Sequence, residues 1–218
     1  MVWRLVRPDA IGIFENGEVL ECIPRYVSIV RGREEALYLK AKRVRVEVSL
    51  SAGTDELWRE HDRLMCVLRE GGYGPRPVSP SLLDLKAELA RRLLESCSFC
   101  ERRCGVDRSR GERGFCRLDS TSRVASYFAH IGEEPPLIPS GTIFFSSCNF
   151  RCVYCQNWDI STNPKSGTPV DGLRLSRIMS SLVSDGCINI NLVGGDPTPN
   201  LHVILDLSLI HISEPTRP

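Results

Sequence analysis

Residues 1–53 alternate short apolar and polar runs separated by turn residues. Ile11-Gly12-Ile13-Phe14 and Val19-Leu20 flank Glu15-Asn16-Gly17-Glu18, and an Asn-Gly pair between apolar runs predicts a hairpin. Val44, Val46 and Val48 alternate with Arg43, Arg45 and Glu47, the period of a half-buried strand. The period then changes. Leu57, His61, Leu64 and Leu68 fall near one face of a helix running from Thr54 to about Glu70. Gly71-Gly72-Tyr73-Gly74-Pro75-Arg76-Pro77 breaks every regular pattern and is the clearest linker in the chain. Ser79-Pro80 predicts a second helix, with Ser as N-cap, Pro in the first turn and Leu82, Leu85, Leu89 and Leu93 as its apolar stripe.

Residues 97–116 are rich in Arg and Gly and read as loop. Thr142 to Ser147 predicts a short buried strand that ends at Cys148, and Leu173 to Ser184 a helix. Ile188 to Val193 predicts a second strand ending at Gly194-Gly195, and another helix begins over Asn200 to Asp206. Strand, helix, strand, helix at this spacing predicts the opening of a parallel β/α array. On the second strand Asn189, Asn191 and Val193 share one face, and Ile188, Ile190 and Leu192 the other. The apolar face belongs against helices, so both Asn side chains are expected to point inward. There they either contact a cofactor or substrate, or satisfy each other.

Composition narrows the function classes. Hydrophobic residues are 42% and charged residues 25% of the chain, the balance of an ordinary globular protein. A net charge of +1 supplies no global field for nucleic acid or an anionic membrane. No apolar run has the length of a membrane span, and the start lacks a signal-peptide core, so a cytoplasmic location is expected. Against that plain background, 10 cysteines stand out. Seven of them lie between Cys97 and Cys155 in two tight groups, which reads as metal binding rather than a disulfide framework. Cys22, Cys66 and Cys187 are isolated and are expected to be buried structural thiols.

Cys148-Asn149-Phe150-Arg151-Cys152-Val153-Tyr154-Cys155 places three thiols on one loop directly after a strand. Soft sulfur ligands suit iron–sulfur chemistry, and three ligands for a four-iron cube leave one iron open to a substrate or cofactor. A zinc loop completed by a distant ligand is the plainer alternative. The run resembles the signature of the radical S-adenosylmethionine superfamily, including the aromatic Tyr154 before the last cysteine. That resemblance implies a 4Fe–4S cluster on Cys148, Cys152 and Cys155, with S-adenosylmethionine chelating the open iron. Its reductive cleavage would give a 5′-deoxyadenosyl radical. The resemblance also implies a partial β/α barrel with the cluster loop after its first strand.

Gly194-Gly195-Asp196-Pro197 resembles the superfamily's Gly-Gly-Glu-Pro-like turn, whose backbone meets the methionine moiety of the cofactor, with Asp196 where Glu is usual. The cofactor-binding candidates are therefore Tyr154, Gly194, Gly195, Asp196 and Pro197, with Asn189 and Asn191 beside them; no catalytic side chain is assigned. Segments such as Gly114-Phe115-Cys116, Gly132-Glu133-Glu134-Pro135-Pro136 and Cys155-Gln156-Asn157 resemble a largely uncharacterised subgroup similar to pyruvate formate-lyase activating enzyme. This implies an oxidoreductase that takes an electron donor and acts on a glycyl-radical enzyme or another substrate. The rival class is a non-catalytic iron–sulfur or zinc protein, an electron carrier or scaffold.

Cys97, Cys100, Cys104 and Cys116 offer a complete set of four soft ligands, for zinc or for an auxiliary iron–sulfur cluster. Arg102, Arg103, Arg108, Arg110, Arg113 and Arg117 surround them and favour thiolates. A nucleic-acid-binding ribbon is disfavoured by the neutral chain and by a single stacking aromatic, Phe99, in the first turn. His130 and Glu133-Glu134 are read as a capped surface loop. The expected organisation is a small α+β domain over 1–75, a helix with the four-cysteine segment over 76–140, and the first two β/α units of a truncated barrel over 141–206. The stretch over 207–218 resembles translated sequencing-adapter read-through, so it is expected to be a non-native tail, with no role for His211 and with further strands in the native product.

Overall fold

The computed structural model describes residues 3–210. The N-terminal part is helical: α1 (Trp3–Val6), α2 (Gly17–Cys22), α3 (Pro24–Val30), α4 (Leu37–Ala41), α5 (Thr54–Arg69) and α6 (Leu82–Arg92). The hairpin expected around Asn16-Gly17 is absent. Asn16 instead caps α2, its side-chain oxygen accepting from Glu18 N at 2.9 Å and Val19 N at 3.4 Å. An Asn side chain satisfies helix-start donors as readily as it tolerates a hairpin turn, and here the helix wins. Val44 and Val46 are buried as alternation requires, but their segment makes one isolated bridge, Arg45 to Ser81, instead of a strand.

Helix α5 buries Leu57, Leu64 and Leu68 against Leu82, Leu85 and Leu89 of α6, so one core spans both sides of the glycine-proline linker. The start of α6 lies later than the Ser79-Pro80 reading. Ser81 is the N-cap: its hydroxyl accepts from Asp84 N at 3.3 Å, and Asp84 Oδ2 accepts from Ser81 N at 2.7 Å. This reciprocal pair outcompetes the earlier Ser because it satisfies two orphan donors at once. Ser81→Ala is expected to lower stability by about 1 kcal/mol, read as a shift in urea midpoint at unchanged slope.

A four-stranded mixed sheet follows, built from β1 (Ser122–His130), β2 (Ser140–Phe145), β3 (Thr168–Val170) and β4 (Asn189–Gly194) in the order β3-β1-β2-β4. The short α7 (Trp158–Ser161) precedes β3, α8 (Gly172–Ser184) precedes β4, and α9 (Leu201–Ile210) follows it. Strands β2 and β4 pair in parallel, as the strand–helix–strand reading requires, whereas β1 pairs antiparallel to both β2 and β3. The architecture is a mixed α/β fold with an open sheet, not a closed barrel.

Ile143, Phe145, Ile190 and Leu192 pack against Leu175, Ile178 and Leu182 of α8. Asn189 and Asn191 lie on the opposite face, where Phe128 stacks on Phe144 with ring centroids 5.2 Å apart. Helix α9 joins the layers. Val203 and Leu207 enter the sheet core, while Leu205 and Leu209 pack on the α5–α6 core. Such a helix must be apolar on several sides. Residues 207–210 of the expected tail therefore belong to α9, and the remainder, 211–218 with His211, lies outside the described residues. No helix among the described residues is long and apolar enough to cross a membrane.

Candidate metal centre

Parallel pairing places the two motifs side by side. Phe145 at the end of β2 is in register with Gly194 at the end of β4, so the Cys148 loop and the Gly-Gly-Asp-Pro turn leave the sheet at the same level. Gly195 N donates to Phe145 O at 2.9 Å, and Asn157 Nδ2 donates to Gly194 O at 3.4 Å. Gly194 has φ +93°, and a side chain there would meet Phe145 O at 2.5 Å. At Gly195 a Cβ would land on Ser147 O and lie 3.2 Å from Cys148 Cβ. Both glycines are thus required for close approach. Asp196 N then donates to Cys148 Sγ at 3.3 Å, and its carboxylate accepts from Thr198 N at 2.8 Å. Pro197 opens the short turn Thr198–Asn200.

Cys148 is buried and also accepts from Phe150 N at 3.3 Å. Two backbone amides thus converge on one sulfur. Cys155 is half-buried, with Sγ 3.3 Å from Ser161 Oγ, and Cys152 is exposed. Tyr154 is 84% exposed beside them. Asn189 is fully engaged: it donates to Tyr26 Oη at 3.1 Å and Leu137 O at 2.8 Å, and accepts from Ser140 Oγ at 2.6 Å. Asn191 donates to the same Ser140 hydroxyl at 2.9 Å. The two amides thus share Ser140.

Cys97, Cys100, Cys104 and Cys116 line one pocket together with Arg102 and Arg108. Cys97 N donates to Val106 O and Gly105 N to Cys97 O, each at 3.0 Å, folding the segment back on itself. Phe115 N donates to Cys104 Sγ at 3.4 Å. Burial pushes the Cys116 thiol up in pKa, against the pull of the Arg108 charge.

This segment docks directly on the three-cysteine loop. The Phe115 ring centroid lies 3.9 Å from the Arg102 guanidinium carbon and 4.9 Å from that of Arg151. Arg151 Nη2 donates to Phe115 O at 3.1 Å, Arg102 Nε donates to Asn149 O at 3.4 Å, and the Ser147 hydroxyl donates to Cys116 O. Ser147 sits at φ +68°, a conformation that costs a non-glycine residue of order 1–3 kcal/mol and marks a position fixed by its surroundings. Ser147 and Phe115 carry no sequence signal of this role.

Among the described residues no three His, Cys, Asp or Glu side chains are gathered tightly enough to hold an ion as they stand. A metal at either cysteine set would require its sulfurs to lie closer together. The donor chemistry of Cys148, Cys152 and Cys155 nonetheless fits a 4Fe–4S group, with soft ligands on one loop and amide N–H groups on the buried sulfur.

Residues 140–214 match the family described as 4Fe-4S single cluster domain. The match is that of an iron–sulfur protein and supports a 4Fe–4S cluster. Two uncharacterised proteins of Methanocaldococcus jannaschii are also similar. One is 40% identical over 190 residues, covering 83% of this chain and 55% of the relative. The other is 28% identical over 130 residues, covering 52% of this chain and 38% of the relative. The chain thus spans about half the length, or less, of the curated relatives it matches. No solved structure matches it significantly.

Of the remaining candidates, His130 ends β1, and its Nδ1 lies 3.3 Å from Oε1 of Glu133 in the connection to β2. Cys187 is buried as expected, but Cys22 and Cys66 are exposed. Cys66 sits on α5 away from its buried Leu57, Leu64 and Leu68, and α2, which carries Cys22, buries no residue, so isolation in sequence did not report burial.

Proposed function

We propose that the chain is part of a radical S-adenosylmethionine enzyme similar to pyruvate formate-lyase activating enzyme. The observation that carries this reading is the bond from Asp196 N to Cys148 Sγ, which brings the glycine turn and the cysteine loop together at one sulfur. A simple electron carrier needs no such turn beside its cluster. A 4Fe–4S group on Cys148, Cys152 and Cys155 supplies, when bound, the electron that cleaves the sulfonium of S-adenosylmethionine to methionine and a 5′-deoxyadenosyl radical.

The chain's own residues prepare the place. Amide donors from Phe150 and Asp196 both meet the Cys148 sulfur. Gly194 and Gly195, lacking side chains, keep the turn backbone close to the cysteine loop, where its carbonyls would be the groups to meet the methionine amino group. Tyr154 presents an exposed ring next to Cys155. An electron donor and a protein or small-molecule substrate complete the proposal.

Anaerobically reconstituted protein is expected to show a reduced-state paramagnetic spectrum that changes when S-adenosylmethionine is added. Changing Cys148, Cys152 or Cys155 to Ala should abolish that response. A reduced cluster whose spectrum ignores the cofactor would overturn the reading and leave a non-catalytic iron–sulfur protein.

A further inference from the structure

The four-cysteine pocket contains a charge that the rest of the fold leaves uncompensated. Arg108 is 1% exposed. A guanidinium cannot lose its proton, so burial must be matched by hydrogen bonds and by opposite charge. The hydrogen bonds are present: Nε and Nη2 donate to Asp119 O at 3.1 and 2.8 Å. Among the described residues no carboxylate forms a salt bridge with it. Asp107 precedes Arg108 and Asp119 supplies its carbonyl partner, but the two carboxylates pair with Arg110 and Arg113. Instead Nη1 points to Cys97 Sγ at 3.9 Å, and the guanidinium lies over the Phe99 ring at 5.3 Å.

We infer that Cys97, Cys100, Cys104 and Cys116 hold a metal as a tetrathiolate centre, with buried Arg108 as its counter-cation. Four thiolates around a divalent zinc ion or a 4Fe–4S cube leave net negative charge in the pocket, which is what the guanidinium lacks. The amide of Phe115, already aimed at Cys104 Sγ, adds a second donor to the sulfur shell. Each thiol releases its proton to solvent as its sulfur takes the metal, so binding strengthens as pH rises. This inference does not depend on the function proposed for the three-cysteine loop.

The test uses the chain with Cys148, Cys152 and Cys155 all changed to Ala, freed of metal and titrated with cobalt(II). One equivalent should bind with the visible bands and sulfur-to-metal charge transfer of a tetrahedral tetrathiolate, and zinc should displace it. Elemental analysis of protein purified from cells decides between zinc and iron, and either supports the centre. Arg108→Gln in the same background should weaken cobalt binding by about tenfold or more, while Arg108→Lys, which keeps the charge, should retain most of it. If the Gln variant does not fold, the Lys variant decides, and its failure to bind overturns the counter-cation role. A Gln variant that folds and binds as tightly as its parent overturns it too. A folded triple-Ala protein that leaves cobalt with its aqueous spectrum overturns the centre itself.

Discussion

Gly195→Ala is expected to destabilise the protein by roughly 3–5 kcal/mol and to lower iron incorporation with every cysteine intact. The added Cβ would fall on the Ser147 carbonyl oxygen and crowd Cys148 Cβ. Neither neighbour can swing aside. Ser147 is backbone, tied through its N–H to Ile160 O at 2.9 Å and through its hydroxyl to Cys116 O. Relief must come from separating the glycine turn from the cysteine loop, which breaks the Asp196 N–H bond to Cys148. Gly17→Ala is the matched control, because a Cβ there meets nothing within 4 Å. Urea unfolding and iron content of both variants check the expectation; a Gly195→Ala protein as stable and as iron-rich as its parent would contradict the placement of the turn.

The second large effect is one of pH. His202 is 8% exposed, its Nε2 donates to Ser120 O at 2.9 Å, and its Nδ1 has no partner. Burial, with the nearby positive charge of Arg108 adding to it, lowers its pKa from 6.5 to about 4. The folded protein therefore takes up the proton less readily than the unfolded chain. Stability from this group is complete above the unfolded pKa of 6.5 and is lost as pH falls toward 4. Over that window the loss is about 3 kcal/mol. His202→Gln keeps a donor for Ser120 but removes the titration. Its stability between neutral pH and mild acid should fall less than that of the parent by about that amount. Equal acid sensitivity of the two proteins would show that other groups govern the transition.

Much of the fold could be read from local pattern, and its failures have local causes. Helices α5, α6 and α8 announce themselves by period, and β2 and β4 by short apolar runs joined through a helix. Strand β1 was not expected, because Ser122 to His130 does not alternate and Ser126 interrupts its apolar run. It is held by antiparallel pairing to β2 with a register shift between Val124 and Ser126, a non-local feature. Strand β3 is three residues with a central Pro169, too short to announce itself. Both cysteine groups stand out in the sequence because their spacing is local, and the structure gathers Cys97, Cys100, Cys104 and Cys116 at one pocket. The contact between the groups was not legible, since it runs through Phe115, Ser147 and Arg151, residues with ordinary alternatives at the surface. Arg108 was one arginine among many in its loop, and nothing but burial distinguishes it.

The Phe115 ring clasped by Arg102 and Arg151 has a thermodynamic consequence of its own. The ring is a side chain of the first loop, yet it meets a guanidinium from each. Whatever orders one loop therefore lowers the entropy cost of ordering the other. By linkage the help must be mutual and equal in free energy, whichever loop is ordered first. Two cysteine sets far apart in sequence are in this way made partners in a single assembly equilibrium.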